Sequence, residues 1–338
     1  MKLRFLSLAL ILILGLTFGL YSLRSNVSSA PDYPARAVAV SDSEVVIEIP
    51  AGTTGSEIAK LLFINGVVKS SLSYFRIAVA DIRSQKVSPG SHRLTLKISA
   101  SQALEQLLDP ARIPNLLKVF EGAWKSEIID SMIAYGFSKK EIDTAFKALI
   151  LPVGFTDAEG LLFPAQYSFT ADTTAEQVVQ AMVNRFRSEK SGQNILSATG
   201  KYSPLQLLII ASIVQSEADT ADFAKVSRVI RNRLEVGMPL QMNSTIHYIE
   251  KVRGEIFLST SSTLINSPYN TYKHYGLPPT PIGNPGAAAM DAALQPSEGD
   301  WLYFITVAPG DTRFTASHDQ FVEWKSLYEK NRKAGAFK

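Results

Sequence analysis

The feature that most constrains this chain is an uncharged, mainly apolar segment close to its N-terminus. Residues 5–23 (FLSLALILILGLTFGLYSL) contain no charged side chain. As a helix rising about 1.5 Å per residue they would be roughly 28 Å long, which nearly matches the roughly 30 Å hydrocarbon core of a bilayer. Lys2 and Arg4 precede the segment, and basic flanks favour the cytoplasmic side. We therefore expect residues 1–24 to be a cytoplasmic stub and single-pass anchor in the cell (inner) membrane, with the rest of the chain periplasmic or extracytoplasmic.

A cleaved signal peptide is the alternative interpretation of this segment. Ser28 and Ala30 have the small-x-small pattern of a cleavage site, but Pro31 follows directly. The apolar run is also longer than the roughly 7–15 residues of a signal peptide. Arg24 follows the apolar segment and only slightly weakens the excess of basic residues before it. Length therefore favours the uncleaved anchor.

The charge of the remaining chain argues against a nucleic-acid partner. Three of the 34 basic residues lie in residues 1–24, where there is no acid, so the other 314 residues hold 31 basic and 31 acidic side chains. Nucleic-acid binders depend on clustered Lys and Arg that neutralise phosphates. The chain has no cysteine, and its four histidines form no pair at helical metal-binding spacing. We expect neither a metal nor a cofactor.

Beyond the anchor, the pattern predicts an α+β protein with a small unit first. Residues 25–42 are small, polar and proline-containing, which is typical of a tether. Residues 43–110 begin with an alternating stretch, EVVIEI, followed by a turn and a helical pattern, and they contain a returning strand. Residues 111–155 form a connecting α+β segment, with a strand near Leu117 and an amphipathic helix over 126–135.

Residues 156–338 have the character of a larger mixed α+β domain. The pattern predicts helices over 205–218 and 221–236, a proline-rich loop before Gly286 and a buried strand at 301–307.

The helix that ends near residue 218 carries a carboxylate in an unusual place. Its apolar residues recur at spacings of three and four and define a buried stripe: Leu205, Leu208, Ile209, Ile213 and Val214. Glu217 follows Ile213 by four and Val214 by three, so it belongs to this stripe. Partial burial would raise its pKa from about 4.3 towards about 6, which suits a general acid. The alternative is a structural ion pair with Arg228, Arg231 or Arg233 on the next helix.

Several spaced blocks resemble one family. In chain order they are residues 159–167 (EGLLFPAQY), 211–218 (ASIVQSEA), 237–248 (GMPLQMNSTIHY), 267–272 (SPYNTY) and 276–286 (GLPPTPIGNPG). Together they resemble the endolytic murein transglycosylase family, also called MltG or YceG-like. The resemblance covers nearly the whole chain and implies a membrane anchor, a LysM-like module at 43–110 and a catalytic transglycosylase domain at 156–338.

The resemblance implies a lyase that cuts the β-1,4 bond between N-acetylmuramic acid and N-acetylglucosamine in peptidoglycan strands and leaves a 1,6-anhydromuramic end. Glu217 matches the family's catalytic acid/base. A single carboxylate is enough for this reaction, since the sugar's own C6 hydroxyl attacks, whereas a hydrolase needs a second carboxylate. The resemblance also implies that the enzyme works with penicillin-binding-protein synthase complexes on nascent strands.

Other residues in the matching blocks are predicted to bind substrate through amides, hydroxyls or aromatic faces. They are Tyr167, Gln241, Asn243, Thr245, Tyr269, Asn270, Thr271 and Tyr272. Turn and capping roles are the alternative for the Asn and Thr residues. The chain departs from the family pattern at Asn243-Ser244, where Asp-Pro is usual, at Ala165-Gln166, where Asp-Thr is common, and at Gln320-Phe321, where Glu-His is common. A peptidoglycan-binding scaffold without turnover is the rival function.

Overall fold

The computed structural model describes residues 30–39, 41–50, 52–114, 116–170, 172–253, 259 and 261–337. The predicted anchor, residues 1–24, lies outside this part. Within the described part, no helix has the length and apolar character needed to cross a bilayer. The chain divides into two compact units, Met1–Pro114 with Ser168–Ala171, and Asn115–Tyr167 with Asp172–Lys338. The predicted ranges 25–42, 43–110, 111–155 and 156–338 divide the chain more finely and remain predictions.

The first unit is a two-stranded antiparallel sheet with three helices. The predicted strand is present as β1, and its partner β2 pairs with it in a register that places Ile49 opposite Gly90. The elements are β1 (Glu44–Ile49), α1 (Gly55–Ile64), α2 (Ser71–Ala80), β2 (Gly90–Thr95) and α3 (Ala100–Leu108), with 3₁₀ turns at Ile82–Lys86 and Pro110–Arg112. The predicted order of strand, turn, helix and returning strand is therefore confirmed, and the LysM-like relationship stays a prediction.

Local sequence explains where these helices start. Thr54 and Ser99 are the N-caps of α1 and α3, and each forms a reciprocal capping box with the residue three positions later. Helices α1 and α3 contact the strands, α2 packs against both of these helices, and the core contains Ile47, Leu62 and Tyr74. A small closed core of this kind forms because alternate strand residues and one side of each helix are apolar.

The second unit is mostly helical. A short pair, β3 (Leu117–Lys118) and β4 (Gln166–Tyr167), and a hairpin, β5 (Tyr303–Ala308) and β6 (Asp311–Thr315), are its strands among the described residues. Its helices are α4 (Lys125–Tyr135), α5 (Lys139–Ala148), α6 (Ala175–Ser188), α7 (Lys190–Leu196), α8 (Pro204–Glu217), α9 (Phe223–Glu235), α10 (Asn243–Glu250), α11 (Ala287–Leu294) and α12 (His318–Lys333), with 3₁₀ turns at Thr220–Asp222 and Ser262–Leu264. The predicted strand at 301–307 is present as β5, but it is half-buried rather than buried.

Helix α8 is the centre of the second unit, and its burial corrects the predicted stripe. Every residue from Leu207 to Val214 is buried, so the helix has no polar face there, and Leu205 is only half-buried. The neighbours α7, α9, α10 and α11 all contact it. A helix that is apolar all round belongs inside a protein, which is why a single stripe was the wrong description. The predicted helix over 205–218 is present one residue earlier, from Pro204 to Glu217, with Ser203 as N-cap.

Leu208→Ala tests how much this central helix contributes. Leu208 is fully buried, and truncating such a leucine costs about 2–5 kcal/mol of unfolding free energy. We expect a clear fall in the urea midpoint followed by circular dichroism. Val153→Ala is the control, because Val153 is 100% exposed and surface changes usually stay within about 0.5 kcal/mol. Equal midpoints for the two variants would contradict the central role of α8.

Candidate active site

Glu217 is the last residue of α8 and lies beside the first turn of α10. The backbone N–H of Ser244 donates a hydrogen bond to Glu217 Oε1 at 2.8 Å. The first N–H groups of a helix have no partner within the helix, and they carry partial positive charge. Helix α10 has no side-chain cap hydrogen bond at Met242, its N-cap residue. The carboxylate of Glu217 therefore takes the place of a cap for α10.

Two opposing influences act on the acidity of Glu217. Burial raises the pKa of its carboxyl above the ordinary value, while hydrogen bonding from Ser244 and the positive charge of Arg233 act in the opposite direction. Desolvation is the largest of these effects, so the net shift is upward. Glu217 is therefore a weaker acid than an exposed glutamate, and its ionised form still has partners that stabilise it.

Glu217 opens into a cleft with a volume of about 460 Å³. The cleft is lined by Glu217, Arg233, Met238, Gln241, Met242, Asn243, Tyr272, Tyr303, Phe304, Ile305, His318, Phe321 and Lys325. Among these described residues Glu217 is the only carboxylate. The rest of the lining combines amides, hydroxyls and aromatic rings with a few basic groups, which is a surface suited to a polar, uncharged ligand with apolar faces.

Three of the predicted substrate-binding residues do line this cleft. They are Gln241, Asn243 and Tyr272. The hydroxyl of Tyr272 donates a hydrogen bond to Asn243 Oδ1. Gln241 adopts a left-handed backbone conformation, with a φ of 49°. That conformation is uncommon for a residue with a Cβ, and it turns the chain just before α10.

Three other predicted substrate-binding residues do not line the cleft and make structural hydrogen bonds instead. Thr245, Asn270 and Thr271 are buried. The Thr271 hydroxyl accepts a hydrogen bond from Met242 N–H at 3.0 Å and lies 3.0 Å from the Thr245 hydroxyl. The side-chain amide of Asn270 donates to the carbonyls of Thr263 and Ile265. These contacts fix the loop before α10 against residues 270–272, so the local structural role matches the turn alternative.

The two remaining tyrosines lie elsewhere. Tyr167 is buried in β4, and its hydroxyl donates to the Phe163 carbonyl at 2.6 Å. Tyr269 lines a second cavity of about 370 Å³ together with Tyr248, Glu159 and Lys125. Neither side chain lines the cleft that contains Glu217. The two tyrosines were grouped with it because they belong to the blocks that match the family.

The ion-pair alternative for Glu217 is wrong. No salt bridge in the described part of the chain includes Glu217. Arg228 and Arg231 donate to the carbonyls of Ser297 and Ala293, and Arg233 donates to those of Leu240 and Leu302. The three guanidinium groups are thus engaged by backbone. Arg233 still lies in the cleft wall, where its charge acts on Glu217.

Sequence reasoning missed one entire wall of the cleft. The β5–β6 hairpin and α12 supply Tyr303, Phe304, His318 and Phe321. Tyr303 stacks on Phe321 with centroids 5.2 Å apart. This wall is distant in sequence from Glu217, and no local pattern links the two. A signal did exist for Arg233, because it follows the buried Val229 and Ile230 of α9 on the same face and is therefore a second charge on an apolar stripe.

Glu159 is a second buried carboxylate, located outside the cleft. It is 2% exposed. Its oxygens accept hydrogen bonds from the Lys125 N–H, the Asn284 amide and the Tyr248 hydroxyl, all at 3.0 Å. Burial raises the pKa of Glu159 to about 7. The carboxyl group connects the start of α4, the 278–286 loop and α10, so it supports the helix that positions Ser244.

The 278–286 loop is also tied directly to α8. Ile282 N–H donates to the Ser212 hydroxyl at 3.0 Å, and Gly286 N–H donates to Gln215 Oε1 at 2.9 Å. Both acceptors precede Glu217 on the same helix. The proline-rich loop therefore fixes the end of α8 that carries the carboxylate.

Comparison with known proteins agrees with this arrangement. The profile of the YceG-like family matches residues 47–326. The chain belongs to the YceG-like family. The matched range includes Glu217, the loops around α10 and most of the aromatic wall.

Two relatives of this YceG-like chain have the same functional name. The chain is 29% identical to the endolytic murein transglycosylase of Bacillus subtilis over 87% of this chain and 88% of that protein. It is 30% identical to the endolytic murein transglycosylase of Streptococcus pneumoniae over 77% of this chain, but the aligned part spans only 54% of that protein. The crystal structure of a YceG-like protein from Listeria monocytogenes is similar at 26% identity with a TM-score of 0.52, covering 84% of this chain and 99% of the other.

Glu159→Gln tests the network beneath α10 through its pH dependence. Below about pH 4.5 Glu159 is protonated in both states, and between 4.5 and about 7 only the unfolded state loses the proton. The free energy of unfolding of the wild type should therefore fall, relative to the variant, by up to roughly 3 kcal/mol across that window. Urea titrations of both proteins at pH 5 and pH 7.5 measure this difference. The amide does not titrate, so any other loss it causes is constant with pH. If wild type and variant differ in free energy of unfolding by the same amount at both pH values, the result would contradict a buried Glu159 carboxyl with a raised pKa.

Proposed function

We propose that this protein is an endolytic lytic transglycosylase of peptidoglycan, in which Glu217 is the single general acid and base. Its substrate is the glycan strand, and the bond cleaved is the β-1,4 bond between N-acetylmuramic acid and N-acetylglucosamine. The main observation in support is the presence of one carboxylate, Glu217, in a cleft otherwise lined by amides, hydroxyls, aromatic rings, bases and the apolar Met238, Met242 and Ile305. The names of the B. subtilis and S. pneumoniae relatives support the same substrate and the endolytic mode.

The proposed reaction needs no second carboxylate. Protonated Glu217 donates its proton to the glycosidic oxygen, and the bond from that oxygen to C1 of the muramic residue breaks. The C6 hydroxyl of the same muramic residue attacks C1, and the Glu217 carboxylate accepts the hydroxyl proton. The products are a strand with a free C4 hydroxyl and a strand with a 1,6-anhydromuramic end. Protons are conserved, because Glu217 is protonated both before and after the reaction.

The surroundings of Glu217 fit both halves of this cycle. Burial raises its pKa and so favours the acid that starts the reaction. The Ser244 N–H, at 2.8 Å from Oε1, and the nearby charge of Arg233 stabilise the carboxylate that exists between the two proton transfers. A retaining or inverting hydrolase would instead need a second carboxylate within roughly 5–10 Å to form a covalent intermediate or to activate water.

The cleft wall supplies groups that recognise sugars without a large net charge. Asn243 and Gln241 offer amides for hydroxyl and N-acetyl groups, while Tyr303 and Phe321 offer ring faces. Pyranose rings present apolar C–H faces that pack on aromatic side chains, and their hydroxyls need polar partners. The balance of acids and bases after residue 24 is consistent with a ligand that is bound mainly through hydroxyls, amides and apolar ring faces.

We further propose that residues 5–23 hold the enzyme at the outer surface of the cell membrane. Hydropathy and the flanking Lys2 and Arg4 support this location. From there the cleft would meet strands as synthases release them, and penicillin-binding-protein complexes are the expected partners. The rival is a scaffold that binds glycan without turnover; the carboxyl in the cleft, with its raised pKa, favours the enzyme.

Glu217→Gln decides between enzyme and scaffold. The amide keeps the shape but cannot supply a proton, so we expect at least a 10³-fold loss of anhydro-ended muropeptides, in line with the size of general-acid contributions. Purified sacculi are digested and the products identified by mass spectrometry.

Glu298→Gln is the matched control, because Glu298 is exposed in the same unit, and it should retain wild-type activity. Thermal unfolding should be nearly unchanged in both variants. Anhydro products from the Glu217 variant at the wild-type rate, or none from any of the three proteins, would overturn the proposal.

A further inference from the structure

One face of α2 carries large apolar side chains that the fold leaves exposed. Leu72, Phe75, Val79 and Ile82 are between 40% and 76% exposed. The first three belong to α2 and are separated by three and four residues, so they lie on one side of the helix. Ile82 lies in the 3₁₀ turn that follows α2. Tyr74, on the other side, is buried in the core of the first unit. Scattered exposed apolar residues are ordinary, but three on one helix face with a fourth in the next turn are typical of a surface that contacts another phase or molecule.

The chain enters the first unit beside this face. The Ser70 hydroxyl, at the N-cap of α2, donates a hydrogen bond to the Pro31 carbonyl at 2.8 Å. The Asp32 carboxylate accepts from the N–H of Ala100, at the start of α3, at 3.1 Å. Pro31 and Asp32 are therefore fixed to the first unit. Pro31 contacts the N-cap residue of α2, two residues before Leu72 in the sequence. Eight residue steps separate Leu23 from Pro31, a reach of at most about 29 Å.

The segment around this face is basic, unlike the chain as a whole. Residues 69–86 contain Lys69, Arg76, Arg83 and Lys86 and one acid, Asp81. Asp81 pairs with Arg83 at 2.7 Å, and Arg83 also contacts Glu105. A row of apolar side chains with basic residues around it is the pattern of helices that lie in the interface of anionic bilayers. The same positive charge opposes pairing of this face with a second copy of itself.

We propose that the face formed by Leu72, Phe75, Val79 and Ile82 rests on the lipid bilayer in which residues 5–23 are proposed to be anchored, with the surrounding basic side chains against anionic headgroups. The proposal rests on that anchor and is independent of the chemistry at Glu217. Docking would hold the first unit flat on the membrane instead of leaving it free on its tether.

The absence of cysteine from the sequence allows a direct test on the full chain. Val79→Cys and Val46→Cys are labelled separately with an environment-sensitive fluorophore and reconstituted in vesicles of phosphatidylethanolamine and phosphatidylglycerol. Val46 is the matched control: it is 56% exposed on β1, between residues whose side chains enter the core. Lipids with a spin label near the headgroup then quench the dye wherever it contacts the bilayer.

We expect quenching at residue 79 to be at least three times that at residue 46, and to fall when phosphatidylcholine replaces the anionic lipid. Adding Glu217→Gln should change neither value, which separates this proposal from the proposed function. Equal quenching at both positions would overturn it. A dye at residue 79 that is shielded from water but not quenched by lipid would mean a protein partner or second copy, and would also overturn it. So would a chain that does not remain with the vesicles after alkaline extraction.

Discussion

The hydrogen bond from the Ser244 N–H to Glu217 is the contact on which the site depends. It joins the end of α8 to the start of α10, and the surrounding loops are arranged to keep those two helix ends together. Thr271 and Thr245 hold the turn before α10, while Ser212 and Gln215 hold the proline-rich loop against α8. A carboxyl group can stay half-buried only where such donors are fixed, because an unpaired charge in that position would be costly.

Glu159, a second carboxylate that lies outside the cleft, also supports this arrangement. Glu159 accepts from three different segments, and through the Tyr248 hydroxyl it fixes the far part of α10. The protein therefore uses a half-buried and a fully buried glutamate in different ways. Glu217 faces a cleft and has one backbone donor at hydrogen-bonding distance, whereas Glu159 is enclosed and has its oxygens occupied. Solvent access and the number of donors, and not residue type, distinguish the candidate catalytic group from the structural one.

Much of this was predictable because the signals are local. The strand-and-helix order of the first unit follows from alternation and caps at Thr54 and Ser99, and Glu217 stands out because a charge follows an apolar helix. The wall formed by Tyr303, His318 and Phe321 was not predictable, because it meets Glu217 only through tertiary packing about 90 residues later in the chain. Tyr167 and Tyr269 lie in the matching blocks, yet tertiary packing places their side chains outside the cleft, which the sequence alone does not reveal.

Because Glu217 lies between two helix ends, its pKa depends in part on the distance between those helices. As the last residue of α8 it is exposed to the negative end of that helix dipole, which discourages ionisation, while the positive end of α10 encourages it. The balance depends on the separation of the two helices. Any strand that pushes α10 towards α8 on entering the cleft would strengthen the acid, and one that separates them would weaken it. The proton affinity of Glu217 therefore depends on the spacing of the two helices as well as on its burial, which is the larger effect.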